Sequence, residues 1–480
     1  MSTLKNKTLN GLLWSTIERF SVQGVQFLLG IILARILFPS DYGLIGMIAI
    51  FMSISQSLID SGFSQALIQK KNTTEKDYNT VFYFNILTAI LIYGILFFLA
   101  KPIAVFYAEP ILENLTKVIG LNIIFSSFSI VQIAKLSKSL NFKLQTKATL
   151  TSVIISGSIG IYLAYMDWGV WALVTQGILK SSINTLLLFI LTRWRPKLIF
   201  SKKSFNSLFS FGSKLLFSGL LNAVFNNIYL IVIGKFYNVK ELGYYTRANQ
   251  FQQLPSETIT VILQRVTFPV LSSIQDQKKK LEHYYKKFIR FSAFIIFPLM
   301  IGLAVTASPL IIVVLTDKWI NAAPFLQLLC FVGVLYPIHA INLNVLKVKG
   351  RSDLFLKLEI YKKLLIAITV LITFSFGVKA LIIGQIVCSI ISLYLNTYYS
   401  KKLIDYSFFN QIKDLIPVLL VSLLMGFTVF ASIYFITSNM LKLLTALFVG
   451  PLSYYILTFV FKFEEVKEIN KLIVKLRSKI

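Results

Sequence analysis

The sequence predicts an all-α integral membrane protein of about fourteen transmembrane helices, and three observations predict it. The chain has 480 residues, 56% of them hydrophobic, where soluble domains lie nearer about 45–50%, and its mean hydropathy is +0.73. Its apolar residues fall into fourteen runs, each long enough for a hydrocarbon core of roughly 30 Å. A motif also recurs 200 residues apart: Leu33-Ala34-Arg35 is answered by Ile233-Gly234-Lys235, Asp41-Tyr42-Gly43 by Glu241-Leu242-Gly243, and Phe51 by Phe251. A fixed-period repeat in such a chain points to two related halves with the substrate site between them.

The runs lie at about 11–38, 43–68, 80–100, 112–134, 148–166, 169–192, 207–236, 244–272, 288–315, 322–346, 359–376, 378–400, 412–436 and 441–461. Arg247, Glu257 and Arg265 interrupt the eighth. Six runs precede the basic connector that starts at Arg193-Trp194-Arg195-Pro196-Lys197, six more follow it over roughly 207–400, and two lie beyond the repeat. An even number per half starts both halves on one side, so the repeat is parallel, about an axis along the membrane normal. The expected organisation is a six-helix lobe over 1–200, a second over 201–400, and an additional transmembrane pair with a basic cytoplasmic tail over 401–480. The start lacks a short apolar segment with a cleavage site and reads as a retained first span.

The formal charge of +28 would suggest nucleic acid in a soluble protein. Here topology accounts for it. With the N-terminus inside and the loops alternating, 35 of the 48 basic residues fall on the inner side and eight on the outer. That asymmetry is the positive-inside rule, and it puts both termini in the cytoplasm. Cys330 and Cys388 fall in apolar runs and read as packing residues. His283 and His339 have no second ligand at metal spacing, so no metal site is expected. No loop exceeds about 15 residues, too short for a soluble catalytic domain, so the chain is not expected to be an enzyme. Prolines 255, 269, 298, 309, 324 and 337 fall in spans eight to ten, where they either bend during a cycle or pack statically.

Charges in lipid are costly and mark cavities or partners. Glu18 and Arg19 lie in span one, Asp60 in two, Lys180 in six, Lys214 in seven, and Glu257 and Arg265 in eight. Apart from Lys180, all lie in the first two spans of a half. Arg19, Asp60, Lys214 and Arg265 are expected near the cytoplasmic end, as a polar vestibule leaning positive. Guanidinium forks and lysine point charges suit phosphate oxygens, so Arg19, Arg265, Lys214 and Lys180 are the candidate substrate cations. Glu18, Asp60 and Glu257 are the candidate cavity carboxylates, available for coupling or for pairing with Arg19. Lys214 and Lys180 could instead snorkel to headgroups. Arg35, Asp41, Lys235 and Glu241, at the outer ends of spans one and seven, are candidates for an outer gate or for headgroup anchors. Gln23, Gln26, Ser53, Ser55, Gln56, Asn222, Asn226, Asn227, Asn249, Gln250, Gln252 and Gln253 add amides and hydroxyls to the same four helices, as a wet cavity would require.

The stretches Phe38-Pro39-Ser40-Asp41-Tyr42-Gly43-Leu44 and Asp60-Ser61-Gly62-Phe63-Ser64-Gln65 carry a resemblance. So do Leu242-Gly243-Tyr244-Tyr245-Thr246-Arg247-Ala248-Asn249-Gln250 and Arg265-Val266-Thr267-Phe268-Pro269. They resemble the bacterial polysaccharide flippases of the multidrug/oligosaccharidyl-lipid/polysaccharide exporter superfamily, in the branch of the colanic and teichuronic acid exporters. The resemblance implies an undecaprenyl-pyrophosphate-linked oligosaccharide as substrate, flipped across the bacterial inner membrane for O-antigen, capsule or exopolysaccharide. It implies alternating access of two lobes, no cofactor beyond an ion gradient or membrane potential, and strongest site carry-over at Arg19 and Arg265. The implied partners are the lipid-linked oligosaccharide, the bilayer and a polysaccharide polymerase or export machinery, without nucleic acid. Alternatives are a drug exporter of the same superfamily, or a membrane glycosyltransferase or polymerase. The arginines disfavour the first, and the second lacks an acidic metal-binding pair.

Overall fold

The computed structural model describes residues 20–467. Its helices are α1 (Phe20–Ile36), α2 (Pro39–Asp60), α3 (Phe63–Gln69), α4 (Glu75–Tyr107), α5 (Ile111–Ser127), α6 (Ile130–Lys138), α7 (Phe142–Tyr165), α8 (Val170–Thr192) and α9 (Lys202–Phe236). They continue as α10 (Val239–Ser273), α11 (Lys278–Val305), α12 (Ala307–Leu315), α13 (Ala322–Val334), α14 (Tyr336–Val348), α15 (Ser352–Thr373), α16 (Val378–Ile404), α17 (Phe408–Tyr434) and α18 (Asn439–Val460). Within the described residues, every predicted run coincides with a helix or with a pair of helices broken mid-run. Eleven such segments are long and apolar enough to cross a membrane, and α1 adds a shorter apolar helix. α10 and α15 have spanning lengths of 35 and 22 residues but carry more charge. Glu18, Arg19 and the basic tail beyond residue 467 lie outside the described residues.

The breaks have local causes. Span two stops at Ser61 and restarts at Phe63 because Ser61 and Gly62 both take left-handed backbone, at φ 43° and 70°. The break lets the chain meet α9 backbone to backbone. A Cβ on Gly62 would stand 2.6 Å from the Gly212 carbonyl oxygen, and one on Gly212 would stand 2.5 Å from that of Ser61. Three expected mid-span prolines prove to be helix starts: Pro309, Pro324 and Pro337 each sit in the first turn of α12, α13 and α14. There a missing N–H costs nothing. Pro255, Pro269 and Pro298 are internal to α10 and α11.

The chain divides into two units, one running to Gly243 and one from Tyr244. In the first, α7 packs on α8, α4 on α5, and α9 on α2, α3 and α4. An aromatic cluster of Phe63, Tyr78, Phe82 and Trp194 knits α3, α4 and the connector together. The connector is also tied by hydrogen bonds. Trp194 Nε1 donates to Glu75 at 2.9 Å, the Lys197 N–H to Asn79 Oδ1 at 2.5 Å, and the Ser201 N–H to Thr80 Oγ1 at 3.0 Å. In the second unit α11 is central, packing on α13, α14 and α17, with α15 on α16 and α18 on α17. Ion pairs Arg290–Glu465 at 2.8 Å and Lys286–Asp414 at 3.0 Å fasten the start of α11. Between helices in lipid, such close packing and polar ties replace the hydrophobic effect as the source of association.

Candidate functional site: a polar cavity in the first unit

On α2, Ser53, Gln56, Ser57 and Asp60 are spaced at i, i+3, i+4 and i+7, which sets them on one face of the helix. On α9, Asn222 and Asn226 are spaced at i, i+4, with Asn227 beside them. These two faces enclose a cavity of about 670 Å³, completed by Ser64 of α3, Ile130 and Ile133 of α6, and Gly219 and Ala223 of α9. The volume lies within the range of roughly 300–1,000 Å³ usual for small-molecule sites.

The polar groups are held but not exhausted. Asp60 accepts one bond from the Ser64 N–H at 3.2 Å and has no ion pair among the described residues. Ser126 Oγ donates to Gln56 Oε1 at 3.3 Å. Asn227 Nδ2 donates to the Ala223 carbonyl at 2.7 Å and to Ser53 Oγ at 3.3 Å. Asn222 and Asn226 are exposed toward the opening. A carboxylate, amides and hydroxyls with spare donors and acceptors form a surface suited to the hydroxyls of a sugar.

The sequence-predicted residues distribute as follows. Asp60 lines the cavity. Lys214 is exposed on α9 and Lys180 half-buried on α8, and neither lines it. Arg265 is exposed and Glu257 half-buried on α10, in the second unit. Ser57 and Ser64 escaped the sequence reading, although the i+4 spacing of Ser57 from Ser53 was the signal that could have found it.

Arg35, Asp41, Lys235 and Glu241 gather where α1 and α9 end and α2 and α10 begin. Asp41 caps α2, its carboxylate accepting the Phe38 N–H at 2.8 Å. The Glu241 N–H donates to Asn238 Oδ1 at 2.8 Å, which caps α10. The Lys235 ammonium donates to the Phe106 carbonyl and lies 4.6 Å from the Phe106 ring centroid. Beside them the repeat makes a crossing: a Cβ on Gly43 would overlap the carbonyl of Val239, and one on Gly243 would overlap that of Pro39. Residues 39 and 239, like 43 and 243, are repeat equivalents, so one contact is made twice about a local pseudo-twofold. Only glycine permits backbones this close.

Residues 32–324 match the model of a family described as polysaccharide biosynthesis protein. The chain is 28% identical over 356 residues to the teichuronic acid biosynthesis protein TuaB of Bacillus subtilis, covering 74% of each chain. It is 26% identical over 413 residues to the lipopolysaccharide biosynthesis protein WzxC of Escherichia coli, covering 85% of this chain and 84% of that one. In fold it is similar to the lipid II flippase MurJ in an inward closed conformation, with a TM-score of 0.78 at 17% identity over 94% of this chain and 98% of that one. An inward-facing multidrug resistance transporter of the MATE family is similar at a TM-score of 0.63 and 15% identity, over 82% and 98%. The family match spans more than half of the sequence, and the chain belongs to the polysaccharide biosynthesis protein family, as an all-helical multi-pass membrane protein.

Proposed function

We propose that the protein carries an undecaprenyl-pyrophosphate-linked oligosaccharide from the inner to the outer leaflet of the bacterial inner membrane, supplying surface polysaccharide. The observation that carries this reading is the cavity built by Asp60, Gln56 and the α9 asparagines. Its lining sets a carboxylate, amides and hydroxyls beside Ile130 and Ile133, and these polar groups can bond the hydroxyls of a glycan. The pyrophosphate would be met by Arg19 and Arg265, assisted by Lys180 and Lys214, because guanidinium and ammonium groups complement phosphate charge. The polyprenyl tail would stay in lipid.

Transport would proceed by alternating access of two lobes, expected over 1–200 and 201–400 with both termini cytoplasmic. The Gly43/Gly243 crossing and the charges at 35, 41, 235 and 241 would close the outer side. A ligand drives such a cycle only by binding its states unequally. The amide face would therefore grip the glycan more tightly in one state than in the other, and Glu18, Asp60 and Glu257 would respond to the driving ion.

The test is extraction of lipid-linked oligosaccharide from cells lacking the gene, with leaflet-specific labelling and mass spectrometry. The expected result is accumulation in the inner leaflet, reversed by wild type and not by an Arg19→Ala/Arg265→Ala double variant present at equal level. Unchanged lipid-linked pools, with new sensitivity to cationic dyes, would overturn the reading in favour of drug export.

A further inference from the structure

α11 is the central helix of the second unit, and Pro298 lies inside it. A proline has no N–H, so the carbonyl four residues back loses its helical donor, and the ring crowds that carbonyl aside and bends the helix. The carbonyl freed in this way is that of Phe294. Phe294 is a buried residue, and a hydrocarbon core supplies no water to take the place of the missing donor.

The donor comes from the last helix of the chain. The Tyr454 hydroxyl of α18 donates to the Phe294 carbonyl at 2.9 Å, in a buried bond. It fills the rung that Pro298 leaves open. The Tyr454 ring also packs on the Phe294 ring, with 5.1 Å between centroids. Other internal prolines differ. Pro102, Pro417 and Pro451 free the carbonyls of Phe98, Lys413 and Leu447. Those three residues are exposed, and their carbonyls receive no side-chain hydrogen bond among the described residues.

The hold extends to both sides of the bend. Before Pro298, Arg290 pairs at 2.8 Å with Glu465, just beyond α18, and Lys286 pairs at 3.0 Å with Asp414 of α17. Phe463 sets its ring 6.4 Å from that of Phe294. After Pro298, Gly426 lets α17 close on α11, since a Cβ there would stand 2.6 Å from Ile301 Cγ2. Val305 packs against Val429 and Ile433 of α17 and Ala446 of α18. A bend whose freed carbonyl stayed unmet would have no bond to fix its angle. Here a helix pair grips each half of α11, and one hydroxyl closes the rung between them.

We propose that Tyr454 is a positioning residue of the second unit: it stands in for the missing N–H at 298 and fixes the angle of α11, so that the α17–α18 pair is a brace on the central helix. α11 packs on α13 and α14 as well as on α17, so its angle sets where those helices lie. The further step, that this angle governs the rate of glycan-lipid flipping, rests on the flippase reading; the brace itself does not.

Three measurements on the full-length protein test it. The first is a thermal double-variant cycle. Tyr454→Phe keeps the ring and removes only the hydroxyl, and it should lower the midpoint of the purified protein by a few degrees. Pro298→Ala gives the Phe294 carbonyl a backbone donor again, so in that background Tyr454→Phe should cost less than about half as much. Equal losses in the two backgrounds overturn the link between Tyr454 and the open rung. The second measurement reads the angle in lipid nanodiscs. Spin labels are placed by Tyr284→Cys and Leu303→Cys in a Cys330→Ala/Cys388→Ala background, about 28 Å apart along a straight helix. One narrow distance distribution is expected with Tyr454 present and a broader one in Tyr454→Phe. Pro298→Ala should lengthen the distance and leave it narrow. A distribution that Tyr454→Phe does not change overturns the brace.

The third measurement concerns transport. In proteoliposomes loaded with a labelled polyprenyl-pyrophosphate oligosaccharide, Tyr454→Phe should flip the lipid severalfold more slowly than wild type at equal protein level. Tyr455→Phe, at the exposed neighbour, should match wild type. An unchanged rate in Tyr454→Phe overturns the link between the angle and transport and leaves the flippase reading standing. Wild-type protein that does not flip the lipid overturns the flippase reading and that link together, while the first two measurements still decide the brace.

Discussion

The repeat copies α2 and α10 share their beginnings and part company at their ends. Both follow a helix that closes on a buried aliphatic residue and an exposed cation, Leu33 with Arg35 and Ile233 with Lys235. Both place a glycine where the other backbone crosses. Carrying the 200-residue offset onward pairs Ser53 with Gln253, Gln56 with Ser256, and Asp60 with Thr260. On α2 these residues open onto the cavity. On α10 Gln253 is exposed, but Ser256 and Thr260 are buried together with the neighbouring Gln252, with Gln252 Nε2 donating to Ser256 Oγ at 2.7 Å and Thr260 Oγ1 to the Ser256 carbonyl at 2.7 Å. They pack where Gly333 of α13 leaves room. A satisfied polar network stabilises a helix joint, whereas polar groups with spare valence facing a void await a ligand. The repeat thus supplies a common frame, and the copies differ in that one lines a cavity and the other seals a helix joint.

The largest effect is expected where the copies are the same. Gly43→Ala and Gly243→Ala each force a methyl into a carbonyl, and overpacking of this kind costs about 1–3 kcal/mol or more. Both variants should lower the thermal midpoint of the purified protein by several degrees and impair export. The effects should be of similar size, because the contact is made twice. A drop for one and none for the other would break the local pseudo-twofold.

Next is Asp60→Asn against Thr260→Val. Hydrogen bonds to a charged group are worth about 1.5–3 kcal/mol, so Asp60→Asn should reduce export at equal protein level by roughly tenfold to a hundredfold. Thr260→Val should leave export per molecule unchanged. Accumulated lipid-linked oligosaccharide per transporter reads both, and equal losses would erase the division between the copies.

This division could be read from the sequence only in part. The offset of 200, the alternating lysines and the apolar runs are properties of neighbouring residues, so the fourteen segments and their helical nature were legible. Asp60 stood out for the same local reason, a charge inside an apolar run. What lay hidden depends on distance along the chain. Gln56 and Ser126 are 70 residues apart, and Tyr285 and Asn342 are 57 apart. No periodicity distinguishes a polar residue that will find such a partner from one that will face a cavity. Pro309, Pro324 and Pro337 stayed open for a similar reason: a proline within an apolar run reads as a bend or as static packing until the helix start one or two residues before it is seen.

A third pair is smaller and opposite in kind. Ser256→Ala strands the buried Gln252 amide and should cost about 1–2 kcal/mol of stability with little change in export per molecule. Gln56→Ala exposes nothing new, because its side chain already faces the cavity. It should shift stability by less than about 0.5 kcal/mol and lower export severalfold. A thermal midpoint that falls for Gln56→Ala and not for Ser256→Ala would reverse the assignment of roles.

The smallest effect tests whether the cavity wall is itself a joint. Asn227 bonds both its own helix, at the Ala223 carbonyl, and Ser53 across the α2–α9 interface. Interhelical side-chain bonds in membranes average about 0.6 kcal/mol, so Asn227→Ala should barely move the thermal midpoint. Its bond to Ala223 is local to α9 and holds the amide in place, so the loss falls mainly on the orientation of Ser53 toward the cavity. Asn227→Ala should then reproduce in export the effect of Ser53→Ala, and the double variant should be no worse than either single one. Full additivity would mean that the two side chains meet the glycan independently, and the α9 face would be a second contact surface and not a support for the first.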